Sequence, residues 1–97
     1  MFSARSSVYD GNRMLNICDL RMLGSEVAEG ELVMRISESC YGGQRVGEEE
    51  AAGLLEGSSI INMAGRECVE LSIRLGIGSR DAVRHIDGVP FLLVFKA

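Results

Sequence analysis

The sequence predicts a single α+β domain over residues 1–97, with a mostly antiparallel sheet of about five to six strands and two helices packed on one face. Three observations lead to this prediction. An Asp-Gly pair separates two apolar runs near residue 88, several segments alternate apolar and polar residues, and two segments carry apolar residues at helical spacing. Each element must bury one apolar side, and a sheet covered by helices achieves this most simply.

The clearest element is a hairpin formed by residues 83–86 and 89–95. Asp87-Gly88 lies between the two runs, and the favoured tight turn needs positive φ at both central positions. Pro90 is tolerated near the start of a strand, where its missing N–H costs little. Both faces of the second strand are apolar, so it is either covered on both sides or an edge that needs a partner. We therefore predict a possible homodimer through this strand or an adjacent apolar surface.

The N-terminal segments predict a second hairpin and one further strand. Residues 2–9 and 14–18 flank a turn at 10–13, and residues 19–30 are expected to form a loop, with or without one short helical turn. Residues 31–37 alternate, which places Leu32, Met34 and Ile36 on one face of a half-buried strand. Residues 39–44 break this pattern and are predicted to form a loop around two adjacent glycines.

Two helices are predicted in the second half of the chain. Residues 47–56 begin with three glutamates, whose charge complements the helix dipole, and Gly57 ends the helix. Residues 65–75 form the other helix, which is largely buried. Residues 58–64 between them fit a short buried strand, and a helix capped by Ser58 or Ser59 is the open alternative.

Composition excludes several classes of protein. The net charge of −4 disfavours direct broad binding to nucleic acid, unless a local basic patch reverses the field. The longest apolar run, residues 89–95, is far shorter than the roughly 18 residues of a membrane helix, and residues 1–5 lack the apolar core of a secretory signal. We therefore expect a soluble, cytoplasmic protein without a membrane partner.

The residues that could carry metal or nucleophilic chemistry are widely spaced. Cys18, Cys40, Cys68 and His85 contain no close pair of the kind that structural zinc sites use, so we predict buried free cysteines and no metal site or cofactor. A Cys40–His85–Asp87 arrangement would be a possible nucleophile, base and orienter, but the turn explains Asp87 better. No catalytic residue is predicted.

The loop Tyr41-Gly42-Gly43 is the best candidate for binding. Two glycines permit close approach of a ligand or another chain, and the tyrosine offers a stacking face with a hydroxyl group. The alternative is a tight connection in which Tyr41 covers the edge of the core. The chain contains neither G-x-x-x-x-G-K-[ST] nor G-x-G-x-x-G, so this loop is not one of the known phosphate-binding loops.

Several arginines offer a second possible site. Arg13, Arg35 and Arg45 would form an anion-binding patch if their strands were neighbours, although scattered surface arginines are the simpler interpretation.

Five short motifs together carry a resemblance to a known family: SCYGG at 39–43, GEEE at 47–50, INMAGR at 61–66, VEL at 69–71 and DGVP at 87–90. The chain resembles an archaeal family catalogued only as a domain of unknown function, family number 424. The resemblance implies a cytosolic archaeal protein with a small α+β fold and no assigned activity.

The predicted function is that of a small non-enzymatic binding or adaptor module. We expect a protein or ribonucleoprotein partner, associated with the translation or RNA-handling machinery. The expected surfaces are the Tyr41-Gly42-Gly43 loop and the turn from Asn62 to Arg66, with Arg35 and Arg45 as further candidates. The alternative is a protein or enzyme of unknown reaction that binds a small anionic molecule.

Overall fold

The computed structural model describes residues 1–96, which form a six-stranded sheet, a two-stranded sheet and three α-helices. The elements in chain order are β1 (Phe2–Tyr9), β2 (Asn12–Asp19), β3 (Glu26–Glu29), β4 (Leu32–Arg35), α1 (Glu38–Tyr41), β5 (Gln44–Val46), α2 (Glu48–Gly57), β6 (Ile60–Ala64), α3 (Arg66–Arg74), β7 (Arg84–Ile86) and β8 (Val89–Phe95). Single 3-10 turns cover Leu20–Met22 and Arg80–Ala82. The mixed α and β fold class is confirmed.

The large sheet has the strand order β5-β1-β2-β6-β8-β7. The β2–β6 pair is parallel, and the other four pairs are antiparallel, which confirms the mostly antiparallel sheet. Strands β3 and β4 form the separate two-stranded sheet. The strand β8 lies between β6 and β7, so it is an interior strand and offers no free edge.

Both predicted hairpin turns are present. Asp87 has a φ of 50° and Gly88 a φ of 79°, the left-handed pair that a two-residue turn between twisted strands requires. Asp10 and Gly11 have φ values of 51° and 78°, and they join β1 to β2 in the same way. The first turn is therefore shorter than the predicted 10–13, and β2 already begins at Asn12.

Three sequence-based predictions need correction. Residues 19–30 contain the strand β3 as well as the short helical turn, because Glu26–Glu29 pairs with Leu32–Arg35 across Gly30. Residues 39–44 are not simply a loop, since α1 covers Glu38–Tyr41, with the Ser37 hydroxyl accepting a hydrogen bond from the Cys40 N–H. Residues 1–96 therefore contain three α-helices, one more than predicted. The open choice at 58–64 is settled as a strand.

Two clusters of buried side chains hold the molecule together. The larger cluster joins Leu15, Ile17, Ile61 and Met63 of the large sheet to apolar residues of α2 and α3, including Leu55. The smaller cluster joins sheet residues to the β3–β4 hairpin, α1 and the segments that connect them. Its buried members are Cys18, Ile36, Ala64, Ile86 and Phe91, and Met34 and Tyr41 pack against it.

A buried carboxylate connects the end of β2 to the start of α3. Asp19 is 1% exposed, and its two oxygens accept hydrogen bonds from the backbone N–H groups of Glu67 and Cys68 at 2.9 and 2.8 Å. Gly65 precedes the helix with a φ of 113°, and a Cβ at this position would lie 2.5 Å from the carboxyl carbon of Asp19. The backbone N–H groups at the start of α3 are thus satisfied by the protein's own anion, which fixes the helix to the sheet.

Among residues 1–96, no helix has both the length and the apolar character that crossing a membrane requires.

Candidate functional site

The two faces of the large sheet differ in how they are covered. Because side chains alternate along each strand, the pairing registers assign every sheet residue to one face or the other. The first face carries Leu15, Ile61 and Leu92, and these belong to the larger cluster. The second face carries Cys18, Ala64 and Phe91, which belong to the smaller cluster. This cluster covers only one end of the second face.

Three rows of side chains cross the second face from β1 to β8. Each row is defined by residues that are paired in register. The inner row is Ser3, Cys18, Ala64 and Phe91; the middle row is Arg5, Asn16, Asn62 and Leu93; the outer row is Ser7, Met14, Ile60 and Phe95. The inner row is buried, whereas Leu93 is 50% exposed and Phe95 is 68% exposed. The second face is therefore covered over the inner row and open over the outer row.

A cleft of about 320 Å³ lies where the covered part of this face meets the open part. Leu32 and Met34 of the β3–β4 hairpin line one side, and sheet residues of β6, β8 and β7 line the rest, Phe91 and Leu93 among them. Three polar side chains reach this apolar cleft, namely Tyr41, Asn62 and Arg84. This combination of an apolar lining with a few polar groups is typical of binding sites.

The amide of Asn62 is held by a chain of hydrogen bonds across the middle row. Asn62 Nδ2 donates to Asn16 Oδ1 at 3.1 Å, and Asn16 Nδ2 donates to the Cys40 carbonyl oxygen at 3.0 Å. This chain fixes the orientation of both amides and connects them to the end of α1. The oxygen of Asn62 receives no hydrogen bond from the described residues, so it is available to a ligand.

Tyr41 occupies the junction between α1 and the sheet. Its backbone carbonyl accepts a hydrogen bond from the Ser3 hydroxyl at 2.7 Å, and its half-buried ring packs against the smaller cluster. Burial raises the pKa of Tyr41 to about 12, with smaller contributions from nearby thiols. The phenol is therefore neutral at physiological pH and can donate a hydrogen bond into the cleft.

The two glycines that follow Tyr41 have a packing role. A Cβ on Gly42 would lie 2.5 Å from the Glu38 carbonyl oxygen, and one on Gly43 would lie 2.9 Å from the Ala4 carbonyl oxygen. Gly43 also has a φ of 153°. These contacts agree with the alternative interpretation of the loop, a tight connection in which Tyr41 covers part of the core.

Comparison with known proteins adds a family. The family model "Protein of unknown function (DUF424)" matches residues 7–97. The chain belongs to this family. Among solved structures, the "Crystal structure of an uncharacterized conserved protein from Methanopyrus kandleri" is similar, with a TM-score of 0.79 and 20% identity over 99% of this chain and 93% of that one. No curated protein matches.

This DUF424 chain does not bring the predicted arginines together with Tyr41 and Asn62 in one cleft. Arg35 forms an ion pair with Glu26 at 2.7 Å on the β3–β4 hairpin, and Arg45 lies on the edge strand β5 opposite Ser3. Arg13 lies at the start of β2, where its carbonyl accepts the Ser59 N–H. Arg66 is exposed at the start of α3 and lines other clefts, beside Glu70 and Pro90. Of the predicted binding residues, Tyr41 and Asn62 share the cleft.

Arg84 is the binding candidate that the sequence did not reveal. It pairs with Phe91 and reaches the cleft from β7, and within residues 1–96 no carboxylate forms an ion pair with it. The alternation of Arg84, His85 and Ile86 gives Arg84 and Ile86 one face, and this pattern was the available signal. It could not show that the β3–β4 hairpin covers that face.

The thiols and His85 do not form a cluster. All three cysteines are free, and Cys18 and Cys68 are buried as predicted. The prediction is wrong for Cys40, which is exposed. Burial raises the pKa of Cys18 to about 11 and raises the pKa of Cys68 well above its ordinary value, so both are inert thiols at neutral pH. Among the described residues, no three His, Cys, Asp or Glu side chains are placed to hold a metal ion.

Proposed function

We propose that this chain is a small non-enzymatic binding module whose binding surface is the cleft and the open part of the second face. In this proposal α2 and α3 both pack on the first face, which leaves the second face free for a partner. The grouping of Leu55 and Val69 with sheet residues Leu15 and Ile61 supports that arrangement. The observation that carries the proposal is the meeting of Tyr41, Asn62 and Arg84 at one apolar cleft.

The exposed apolar residues beside the cleft support a partner larger than a small molecule. Leu93 and Phe95 are both at least half exposed, and Leu32 of the β3–β4 hairpin is 40% exposed. Single exposed apolar residues are common, but these continue directly from the cleft along β8 and β4. An adaptor that contacts a partner over this area would cover them.

We place this adaptor with the translation or RNA-handling machinery, in the cytoplasm. The three cysteines are free, as expected for a reducing compartment. The middle row of the second face carries an arginine and two amides, which are side chains that contact ribonucleoprotein components readily.

An affinity pull-down from native cells tests this proposal. The tagged protein is compared with an Arg84→Ala variant, with and without nuclease, and bound material is identified by mass spectrometry. Arg21→Ala is the matched control, since Arg21 is exposed on the first 3-10 turn and does not line the cleft. We expect a specific set of partners that Arg84→Ala loses and Arg21→Ala keeps. Equal recovery by all three proteins would contradict the assignment of the surface.

The second candidate is a small anionic ligand in the cleft. The cleft volume of about 320 Å³ favours it, because sites for small molecules begin near this size. Arg84 would hold the anion in place of Arg13, Arg35 or Arg45. A thermal-shift screen of nucleotides and phosphorylated metabolites tests this candidate. A ligand that binds only the folded protein, at a hundredfold excess over its dissociation constant, stabilises the folded state by about 2.7 kcal/mol. No shift with any compound would count against this candidate.

A further inference from the structure

We propose that the open part of the second face binds single-stranded RNA directly, with bases over the middle and outer rows and phosphates at Arg5 and Arg84. This inference rests on the proposed binding function and names the chemistry of its ligand. Sequence-specific recognition of RNA uses unpaired bases, which stack on aromatic side chains and form hydrogen bonds along their edges. The second face carries the groups for each of these contacts.

The aromatic groups are Phe95 and Tyr9. Phe95 ends β8 in the outer row and is 68% exposed, and Tyr9 at the end of β1 is 70% exposed. Side chains alternate between the two faces along a strand, so Phe95 lies on the same face as Leu93 and Tyr9 on the same face as Arg5. Both rings therefore lie on the second face. Exposed rings on a sheet surface gain from stacking with any base, because every base presents a π face.

The amides of Asn16 and Asn62 supply base-edge contacts. They are neighbours across the parallel β2–β6 pair, and their mutual hydrogen bond fixes them in one orientation. The free oxygen of Asn62 accepts from an exocyclic amine, and its remaining N–H can donate to a ring nitrogen or carbonyl. An asparagine presented in this way can make the paired contacts that recognise a base edge.

Every charged residue that the large sheet places on its second face is an arginine, although the net charge of the protein is −4. Arg5 lies on β1 and Arg84 on β7, and Arg45 lies on the edge strand β5. No aspartate or glutamate occupies a position of the three rows. Arg5 and Arg84 are separated by four strand spacings, about 19 Å at roughly 4.8 Å per spacing, so a strand that crosses the sheet meets a cation at each end.

The surrounding carboxylates limit how strongly this face attracts phosphate. On the β3–β4 hairpin, Glu26 is neutralised by Arg35, and Glu29 accepts the Asp87 N–H at 2.8 Å. Glu31 and Glu38 are exposed nearby and form no ion pair with the described residues. Binding should therefore depend mainly on stacking and base contacts, with a shallow dependence on salt.

Fluorescence anisotropy with purified full chain and a short, labelled, random-sequence single-stranded RNA pool tests the inference. We expect saturable binding that Phe95→Ala weakens roughly five- to tenfold, through loss of one stacked base, while Phe95→Tyr retains it. With two phosphate contacts, the slope of log K against log salt should be about −1.4, and Arg84→Ala should reduce its magnitude by about 0.7. Arg21→Ala, at an exposed residue of the first 3-10 turn that does not line the cleft, is the control and should change neither quantity.

Two results would overturn the inference. One is no change in anisotropy with wild-type protein at low salt, and the other is equal binding by wild type, Phe95→Ala and Arg84→Ala. If purified protein fails to bind RNA while the pull-down recovers a nuclease-resistant protein partner that Arg84→Ala loses, the ligand is a protein, and the proposed binding function stands without this inference. If the pull-down also recovers nothing specific, both proposals fall.

Discussion

The two faces of the large sheet differ in how far the rest of the protein covers them. On the first face, Leu15, Ile17 and Ile61 have no exposed surface, and all three belong to the larger cluster. On the second face, burial falls from Phe91 at 8% exposure to Leu93 at 50% and Phe95 at 68%, along a single strand. The second face is therefore buried at Phe91 and open at Leu93 and Phe95, whereas the three residues of the first face are fully buried.

The largest contrast between the faces should appear in leucine truncations. Leu15→Ala creates a cavity in the closed core and should lower the free energy of unfolding by about 2–5 kcal/mol. Leu93→Ala removes a half-exposed side chain and should cost less than about 1 kcal/mol. Urea denaturation of both variants measures the difference, and equal losses would show that the second face is as closed as the first.

Asp19→Ala should have the next largest effect and lower the free energy of unfolding by about 2–3 kcal/mol. The change removes two charge-assisted hydrogen bonds and leaves the N–H groups of Glu67 and Cys68 without their acceptor. Asp81→Ala is the control, because Asp81 is exposed and its loss should stay within about 0.5 kcal/mol. Similar melting temperatures for the two variants would contradict the role of Asp19 in fixing α3 to the sheet.

Asn62→Ala tests the middle row and should destabilise by about 1 kcal/mol. It breaks the hydrogen bond to Asn16, whose side chain is only partly exposed. Thermal unfolding gives the measurement, and Ser7→Ala in the exposed outer row should be close to neutral. A stability loss as large as that of Leu15→Ala would mean that the amides are structural rather than available for binding.

The smallest effect is expected at the exposed ion pair between Glu70 and Arg80. Hydrogen bonding to Arg80 lowers the pKa of Glu70, so the stabilisation is present above the pKa of the unfolded chain and disappears as pH falls through the folded pKa. Glu70→Gln should therefore lower the melting temperature slightly at neutral pH and not at acid pH. The effect of Glu70→Gln should disappear in an Arg80→Ala background, and an unchanged pH profile in that background would exclude the pair as the cause.

The sequence predicted those elements whose signal is local. Asp10-Gly11 and Asp87-Gly88 specify their turns through backbone conformation alone, and the acidic run at 48–50 marks the start of α2. The strand β3 was missed because Glu26–Glu29 has charged ends and little burial, so no periodicity reveals it before it pairs with β4. The helix α1 is one turn long, which is too short for a periodic pattern.

The candidate site was predicted only in part, since it depends on contacts between distant segments. Tyr41 and Asn62 were recognised one by one, as an aromatic beside glycines and as part of a turn, and a cleft joins them. Arg84 was missed because its importance comes from the β3–β4 hairpin opposite it, about 50 residues earlier in the chain. Arg35 looked available in the sequence and is instead paired with Glu26.

The strand order also determines when the protein can fold during its synthesis. β2 pairs with β6, whose residues follow 46 positions later in the chain, as Met14 and Ile60 show, and β6 in turn needs β8. The β1–β2 hairpin can form within microseconds of leaving the ribosome, but its inner edge stays unpaired until Ile60–Ala64 emerges. Because β8 lies inside the sheet, a nascent chain that stops before Val89 lacks an interior strand and exposes β6 and β7 to aggregation.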